Sequence, residues 1–416
     1  MSACRLGVFF LLLLTVLLAW GCARKRTPAR PVLTWYVFHE PSGAFQQAAD
    51  TCSAASSGAY KIAIALLPTD ADQQREQLVR RLAARDSSID IIGMDVIWTA
   101  EFAEAGWILP WPDEARGRIT QGRLRPSVKS ATYDNRLWAA PFTTNTQLLW
   151  YRTDRVKTPP ATWDEMIREA ERLGPKGTIQ AQGERYEGLT VFFTSLLASA
   201  GGEILSDNGK EVSLATGPTE KALAIMKRLA DSPASDPSLD TCREDQARLA
   251  FEKGDSTFMI NYTFVWPSAQ RNAPQVAANM GWARWPAVDK NHPSRVTIGG
   301  LNLGVGAYSR HPKLAFQAAQ CLASEQNQRL AARLGGLPPT MVKLYHDPQV
   351  RKTLPFADTL LATLQDAVQR PRTPFYNDIS LAISRTLHPM RDIKPRTEVK
   401  KLRRAVARAL RSEGLL

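Results

Sequence analysis

The sequence predicts an α/β fold with room for two domains, and three observations lead to this expectation. The chain has 416 residues, enough to bury two separate cores. Its first part alternates short apolar runs with amphipathic stretches, the pattern of a doubly wound sheet covered by helices. Residues 133–151 carry apolar runs on both sides of Pro141, which is typical of a strand that crosses from one lobe into another.

The alternation starts after residue 32. Residues 33–38 and 60–67 are rich in β-branched, aromatic and other apolar residues and predict two strands. A helix is expected behind each strand, over residues 43–52 and from Thr69 onwards, the second with an amphipathic pattern. A third apolar run, residues 89–95, completes a strand–helix–strand–helix–strand unit.

The remainder of the chain is predicted to be mainly helical. The expected helices cover residues 163–173, 189–200, 219–230, 244–252 and 313–324, and the expected strands cover residues 258–262 and 296–307. Apart from this last strand, the C-terminal third is expected to be helical.

Residues 89–107, IDIIGMDVIWTAEFAEAGW, form the most informative segment. A buried strand ends at Asp95, Trp98 follows, and a short helix is expected with Thr99 at its cap and Gly106 at its end. Open α/β folds bind ligands at the carboxyl edge of the sheet, and a carboxylate beside a flat ring suits a sugar. The competing interpretation is that Asp95 only caps the helix and Trp98 lies in the core.

The first 22 residues resemble an export signal. Arg5 precedes a short apolar run that is followed by Gly21 and Cys22. Residues 19–22, AWGC, resemble a lipobox, so a lipoprotein signal peptide over residues 1–22 with lipidation at Cys22 is expected. Cleavage by the ordinary signal peptidase, recognising Ala19 and Gly21, is the alternative. The apolar run is short for a membrane-spanning helix.

The formal net charge is +13, yet the sequence does not indicate nucleic-acid binding. The basic, proline-containing residues 23–31 predict an extended tether. Elsewhere the densest basic cluster is at residues 400–404, and no nucleic-acid-binding motif accompanies it. An anionic membrane surface beneath a tethered protein is the expected partner for this charge.

Cysteine and histidine usage argues against a metal site. Besides Cys22, the chain after the signal contains Cys52, Cys242 and Cys321, with no CxxC motif or Cys/His spacing typical of zinc. The five histidines are scattered, and HExxH, GxSxG and Walker motifs are absent from the sequence. No cofactor, no metal and no catalytic residue are expected.

Several short runs together resemble a known family. They are MDVIWTAEFAEAGW from Met94, TTNTQLLWYR from Thr143, RLAFEKGDSTFMINY from Arg248, TIGGLNLGV from Thr297 and RPRTPFY from Arg370. In this order they resemble the extracellular solute-binding proteins of family 1, the sugar receptors of ABC importers, and most closely the actinobacterial trehalose-binding lipoproteins. The resemblance covers nearly the whole chain after the signal.

The resemblance implies a two-lobed, periplasmic-binding-protein-like α/β fold with a hinge between the lobes. The N-terminal lobe would comprise residues 32–141 and 302–345, and the C-terminal lobe residues 142–301 and 346–416. The helices ending at Cys52 and bearing Cys321 would then share a lobe, which favours a Cys52–Cys321 disulfide. Cys242 would lie in the other lobe as a free thiol.

The resemblance also implies a set of ligand-binding residues. They are Glu40, Arg75, Asp95, Asn145, Glu244, Tyr262, Gly300, Leu301 and Arg370. Carboxylates, an amide and an arginine can pair with sugar hydroxyls, and Tyr262, where the family usually has tryptophan, can stack on a pyranose.

Several of these residues have a structural interpretation as well. Glu40 and Arg75 are equally expected as solvated surface charges, and Asn145 as a turn residue. Glu244 has the position of a helix N-terminal charge. The glycine pair is typical of a β-bulge, and Arg372 competes with Arg370 for the family's arginine. These alternatives stay open at the level of sequence.

The expected function is a membrane-tethered, monomeric receptor that captures a disaccharide, trehalose first, and delivers it to ABC permease subunits. Closing of the hinge on the ligand would be the mechanism. A receptor for maltose, a maltodextrin or a glycerophosphodiester is the alternative within the fold. An exported glycoside hydrolase and a structural envelope lipoprotein are the alternatives from other classes.

Overall fold

The computed structural model describes residues 30–68, 70–206 and 209–412. The expected signal peptide with Cys22, and all of the tether except residues 30 and 31, lie outside the described residues. Among those that are described, no helix combines the length and apolar character needed to span a membrane.

Within the described residues, the strands form two main sheets and one separate hairpin. In chain order they are β1 (Val32–Phe38), β2 (Lys61–Leu67), β3 (Ile91–Asp95), β4 (Ile108–Leu109), β5 (Thr132–Tyr133), β6 (Arg136–Leu137), β7 (Ala139–Asn145), β8 (Leu148–Arg152), β9 (Thr178–Gln180), β10 (Ser256–Asn261), β11 (Met280–Ala283) and β12 (Gly299–Gly306). The first sheet has the order β2-β1-β3-β12-β4, with β7 also paired to β12. The second has the order β11-β8-β10-β9, and β5 and β6 form a separate hairpin.

The first sheet begins as predicted. Strands β2, β1 and β3 are parallel neighbours, as expected for strands joined by crossover helices. The late strand β12 then inserts antiparallel between β3 and β4. As a result, the carboxyl end of β3 meets the amino end of β12, and Leu301 is the register partner of Asp95.

Helices cover both sheets. They are α1 (Ala44–Ala55), α2 (Ala71–Ala83), α3 (Thr99–Glu104), α4 (Asp113–Thr120), α5 (Arg125–Ser130), α6 (Trp163–Arg172), α7 (Glu187–Ser199), α8 (Thr216–Asp231), α9 (Glu244–Glu252), α10 (Val265–Asn272), α11 (Pro274–Ala277), α12 (Pro312–Leu322), α13 (Glu325–Gly335), α14 (Pro348–Thr353), α15 (Ala357–Gln365), α16 (Tyr376–Leu387) and α17 (Pro395–Leu410). Single 3₁₀ turns lie at Val96–Trp98, Gly174–Lys176, Leu239–Thr241, Val342–His346 and Met390–Asp392.

Each lobe has its own apolar core. In the first lobe, Trp35, Phe45 and Phe142 are fully or almost fully buried between the sheet and its helices. Helices α1 and α12 pack in this lobe and are joined by the Cys52–Cys321 disulfide, which confirms that pairing. The second lobe buries apolar clusters on both sides of its sheet, and Cys242 is a buried free thiol there, also as expected.

The chain passes between the sheets twice. It leaves the first sheet at the end of β7 and enters the second at β8, and it returns between β11 and β12. The first passage comes after Asn145, so the boundary expected at residue 141 falls inside β7. The two passages lie side by side, because the Thr146 hydroxyl donates to the Thr297 carbonyl (3.0 Å). The segment after α15 lies beside the second passage, because the Ile298 amide donates to the Val368 carbonyl (2.9 Å).

Candidate functional site

A cavity of about 580 Å³ lies between the two lobes, where β3 and β7 end and β12 begins. This volume is within the range of small-molecule sites. The lining residues are Asp70, Ala71, Asp72, Asp95, Asn145, Tyr186, Glu187, Gly188, Val191, Arg243, Glu244, Asp245, Gln246, Tyr262, Gly299, Gly300 and Arg370.

Six of the nine ligand-binding residues expected from sequence line this cavity. They are Asp95, Asn145, Glu244, Tyr262, Gly300 and Arg370. They come from both lobes and from the segment after α15, so only the folded chain brings them together. Arg370, rather than Arg372, lines the cavity.

Asp95 both caps the turn that follows β3 and lines the cavity, so the two interpretations of this residue are compatible. Its carboxylate accepts from the Ile97 amide (3.1 Å) and so caps the turn that follows β3. The same oxygen lies 3.4 Å from the Arg370 guanidinium, and the carboxylate also faces the cavity. Trp98 does not face the cavity, since it is buried in the first core and stacks on Phe102. Gly106, with φ 69°, follows α3 at the predicted end.

Arg370 links the two walls of the cavity. Its guanidinium donates to Glu187 (2.8 Å), to the Ile298 carbonyl (3.3 Å) and to Asp95 (3.4 Å), although the residue is only 8% exposed. Burial by itself would lower the pKa of Arg370, but the charges of Asp95 and Glu187 raise it. The guanidinium therefore stays charged, while its Nε remains without a partner among the described residues.

Glu187 is the central acid of the second wall, meaning the side of the cavity that the second lobe forms. The sequence analysis missed this residue. It is the first residue of α7, and it accepts from Arg370, from the Tyr376 hydroxyl (2.5 Å) and from the Ser380 hydroxyl. The Glu187 carboxylate of α7 is therefore hydrogen-bonded both to α16, through Tyr376 and Ser380, and to the segment that carries Arg370. One signal in the sequence could have identified Glu187. It stands at the start of a helix that is apolar on every side, and such a buried helix can present only its ends to a cavity.

Tyr186 and Arg243 are two further cavity residues that the sequence analysis missed. The Arg243 guanidinium lies 4.7 Å over the Tyr186 ring, donates to Glu184 (2.6 Å) and lies 3.5 Å from the Asp70 carboxylate. Asp70 caps α2 in the first lobe, whereas Arg243 belongs to the second. This ion pair therefore spans the gap between the lobes.

Glu244 is at the start of α9, as its helix-terminal interpretation also requires. Burial raises the pKa of Glu244, and hydrogen bonding with Tyr186 opposes this effect. Burial likewise raises the pKa of the Tyr262 hydroxyl, and Glu244 adds to that increase. The Tyr262 backbone amide donates to Oδ1 of Asn261 (2.8 Å), and Nδ2 of Asn261 donates to the Glu244 carbonyl (2.9 Å). The Asn261 side chain therefore holds Tyr262 and Glu244 side by side.

The glycine pair forms the floor of the cavity for a steric reason. Gly300 has φ +129°, and a Cβ there would lie 2.3 Å from the Thr143 carbonyl oxygen. A Cβ on Gly299 would lie 2.1 Å from Oδ1 of Asn145. The pair therefore allows β12 to lie directly against β7, and the strand register shifts one residue later, between Leu301 and Asn302.

Three expected ligand residues do not line the cavity. The Glu40 carboxylate accepts from the amides of Ser42 and Ala44 at the start of α1. Arg75 makes a two-bonded ion pair with Glu101. The Leu301 side chain is buried in the first core, because side chains alternate along β12 and its neighbour Gly300 takes the cavity side.

The balance of charge in the cavity is acidic. Six carboxylates line it (Asp70, Asp72, Asp95, Glu187, Glu244 and Asp245) against two arginines, Arg243 and Arg370. Within the described part of the chain, no group of three or more acids, histidines or cysteines has the geometry to hold a metal ion. The cavity can therefore accept many hydrogen bonds, offers two phenol rings, and repels anions.

Comparisons with known proteins agree with this architecture. The family model described as bacterial extracellular solute-binding protein matches residues 42–329. A probable ABC transporter-binding protein of Deinococcus radiodurans is 28% identical over 77% of this chain and 80% of its own length. Maltose-bound MalE3 of T. maritima superposes with a TM-score of 0.81 at 25% identity, covering 90% of this chain and 98% of that one. The GacH receptor of Streptomyces glaucescens superposes with a TM-score of 0.79 at 19% identity, covering 92% and 99%.

Proposed function

Since this chain belongs to the bacterial extracellular solute-binding proteins, we propose that it is the receptor of an ABC sugar importer and that it binds a neutral disaccharide, with trehalose as the preferred candidate. The family works outside the cytoplasm, and its members are binding proteins rather than enzymes. The observation that carries the proposal is the cavity between the lobes, where carboxylates from both sides converge on Arg370.

The chemistry of the cavity favours an uncharged, hydroxyl-rich ligand. Trehalose is non-reducing and has eight hydroxyl groups, each able to donate to a carboxylate. The acidic excess opposes a glycerophosphodiester, because a phosphate would face six carboxylates and only two arginines. Both arginines are already paired with acids, which leaves them little capacity for a second anion.

Maltose is the second candidate, and one comparison favours it. The MalE3 structure is maltose-bound and shares 25% identity with this chain. Trehalose is preferred because of the sequence runs around Asp95 and Thr143, which resemble trehalose-binding lipoproteins. Both sugars fit the same cavity chemistry, so their relative affinities decide between them.

The mechanism is closure of the hinge around the ligand. Asp95 and Asn145 belong to the first lobe, and Glu187 and Glu244 to the second, so a sugar that bonds to both walls stabilises the closed arrangement. The ion pairs Arg370–Asp95 and Arg243–Asp70 also join the two walls and therefore favour the same closed arrangement. Delivery to permease subunits then requires reopening, and no covalent chemistry is involved.

We also propose that Cys22 anchors the protein to the cell membrane as a lipoprotein. The AWGC run supports the proposal, and the family's extracellular location agrees with it. Mass spectrometry of the mature N-terminus tests it. A diacylglyceryl group on Cys22 is expected, and an unmodified Cys22 would contradict the anchor without affecting the proposed ligand.

A thermal-shift panel with a hydrolysis assay tests the proposed ligand. Trehalose at a hundred times its Kd should stabilise the protein by about 2.7 kcal/mol, and maltose less. A glycerophosphodiester should give no shift, and no glucose should appear over hours. A shift with the phosphodiester alone, or release of glucose at an enzymatic rate, would contradict a neutral-sugar receptor.

A further inference from the structure

The two lobes also meet at the outer end of the cavity, the end that lies away from the hinge. There the Arg243 guanidinium of the second lobe lies 3.5 Å from the Asp70 carboxylate of the first, and both residues line the cavity. On the basis of the sugar-binding function given above, we propose that the Arg243 side chain closes this outer end. It thereby limits the ligand to a disaccharide and excludes longer oligosaccharides.

The first sheet places Asp70 far from the hinge. The chain passes between the lobes beside β12, whereas Asp70 follows β2, the outermost strand in the order β2-β1-β3-β12. Strands β2, β1 and β3 are parallel, so their carboxyl ends lie along the edge of the sheet to which Asp95 belongs. Three strand spacings of about 4.8 Å separate β2 from β12, roughly 14 Å in total. This length accommodates two linked pyranose rings but not four.

The second sheet places Arg243 at the same outer end. The chain enters this sheet at β8, and in the order β8-β10-β9 the strand furthest from that entry is β9. The amides of Gly183 and Glu184, which follow β9, donate to the Cys242 carbonyl (3.0 and 3.2 Å). These bonds hold Arg243 beside the end of β9. The contact between Arg243 and Asp70 therefore joins the outermost strands of both sheets.

Partners in its own lobe fix the Arg243 side chain. Its guanidinium donates to Glu184 (2.6 Å) and lies 4.7 Å over the Tyr186 ring. A planar guanidinium can stack on a ring and bond to carboxylates at the same time. The side chain is 39% exposed, as expected for a residue that borders solvent at the mouth of the cavity. Arg243 is therefore already oriented across the opening before it contacts Asp70.

A longer oligosaccharide would have to displace this side chain. The hinge end of the cavity is closed by Arg370, which donates to the Ile298 carbonyl (3.3 Å). A tetrasaccharide could then extend only towards Arg243, where it would separate the guanidinium from Asp70 and keep the lobes apart. A disaccharide fits between Arg370 and Arg243 and allows the lobes to close, so the closed state favours the shorter ligand.

Titration calorimetry of two sugar pairs tests the length limit. The pairs are trehalose with maltosyltrehalose and maltose with maltotetraose, each a disaccharide and a tetrasaccharide that extends it. In the pair whose disaccharide binds more tightly, the wild type should prefer the disaccharide by about tenfold or more. Arg243→Ala should reduce this ratio by about fivefold or more, because the outer end is then open. The ratio is the readout because a weaker closure affects both sugars alike.

Two control variants separate obstruction from charge. Asp70→Asn removes the ion pair between the lobes, but asparagine can still cap α2, and Arg243 keeps its partners in the second lobe. This variant should weaken both sugars alike and keep their ratio within about twofold of the wild type. Arg271→Ala removes a positive charge from an exposed position of α10 that does not line the cavity, and it should change neither affinity nor ratio.

Three outcomes would overturn the length limit while leaving the sugar receptor intact. They are a wild type that binds the tetrasaccharide as tightly as the disaccharide, a ratio that is unchanged in Arg243→Ala, and an equal fall of the ratio in either control variant. Absence of binding of all four sugars to the wild type would overturn the proposed function together with the length limit. The two failures are therefore distinguishable.

Discussion

The two walls of the cavity are built in different ways. The first-lobe wall consists of strand ends, with Asp95 closing β3, Asn145 closing β7 and Gly300 near the start of β12. The second-lobe wall consists of helix starts, with Glu187 opening α7 and Glu244 opening α9. Backbone pairing holds the first wall, whereas hydrogen bonds and ion pairs between side chains hold the second.

This difference has a consequence for mutation. In the first wall, space for the backbone is the critical quantity, so added atoms should be costly. In the second wall, paired charges are critical, so lost charges should be costly. The predictions below test each wall by its expected weakness.

Glu187→Ala should have the largest effect. It leaves Arg370 buried with one acid fewer and removes the acceptor for Tyr376 and Ser380, so the free energy of unfolding should fall by about 3 kcal/mol or more. Urea denaturation measures this change. Glu187→Gln is the matched control and should lose less, because its amide oxygen can still accept. Equal and small losses would mean that side-chain charges do not hold the second wall.

Gly300→Ala should have the next largest effect. The left-handed backbone and the contact with the Thr143 carbonyl predict a loss of about 2 to 3 kcal/mol in the free energy of unfolding. Gly117→Ala, in the interior of α4 with open space around it, is the control in the same lobe and should be neutral or stabilising by up to about 1 kcal/mol. Similar values for the two variants would contradict a steric role for Gly300.

Asp95→Asn separates chemistry from structure in the first wall. Asparagine can still cap the turn at Ile97, but it no longer neutralises the buried Arg370, which lies 3.4 Å away. The free energy of unfolding should therefore fall by roughly 1 to 2 kcal/mol, less than in Glu187→Ala. Loss of the carboxylate should weaken trehalose binding by roughly tenfold or more in titration calorimetry, as expected when a charged hydrogen-bonding partner of about 1.5 kcal/mol is lost. Unchanged affinity would show that Asp95 only caps the turn.

Glu244→Gln should have the smallest effect, and it should depend on pH. Burial raises the pKa of Glu244 above its ordinary value of 4.5, so ionisation disfavours the folded state. The contribution of Glu244 to stability is present at low pH and is lost as pH rises through the folded-state pKa. The stability of the variant relative to the wild type should therefore increase above about pH 4.5. Asp245→Asn, an exposed neighbour, controls for the loss of a negative charge, and equal trends in both variants would contradict burial as the cause.

The contrast between the walls also explains what the sequence could predict. Asp95 stands at the end of an apolar run, and the glycine pair interrupts another run, so both positions are visible in the sequence. Helix α9 was predicted with its observed ends, 244–252, because its amphipathic pattern is regular. The disulfide followed from the resemblance, once the resemblance had put two helices in one lobe.

The second wall could not be predicted in the same way. Helix α7 is apolar on every side, so its pattern does not mark Glu187 as facing a cavity, and its start was expected two residues later. Arg243 becomes important only through Tyr186 and Asp70, which are distant in sequence. Glu40 and Arg75 illustrate the converse. Glu40 is satisfied by backbone amides at the start of α1, and Arg75 is satisfied by Glu101 of α3, so neither charge is available to the cavity.

Small-angle X-ray scattering with and without saturating trehalose tests the central idea most directly, because it measures whether the two walls move together. The radius of gyration of the wild type should decrease on addition of trehalose, and Asp95→Asn should need roughly tenfold more trehalose or more to reach the same decrease. A wild-type radius that stays constant with trehalose and maltose, although either sugar binds, would contradict closure of the lobes around the ligand.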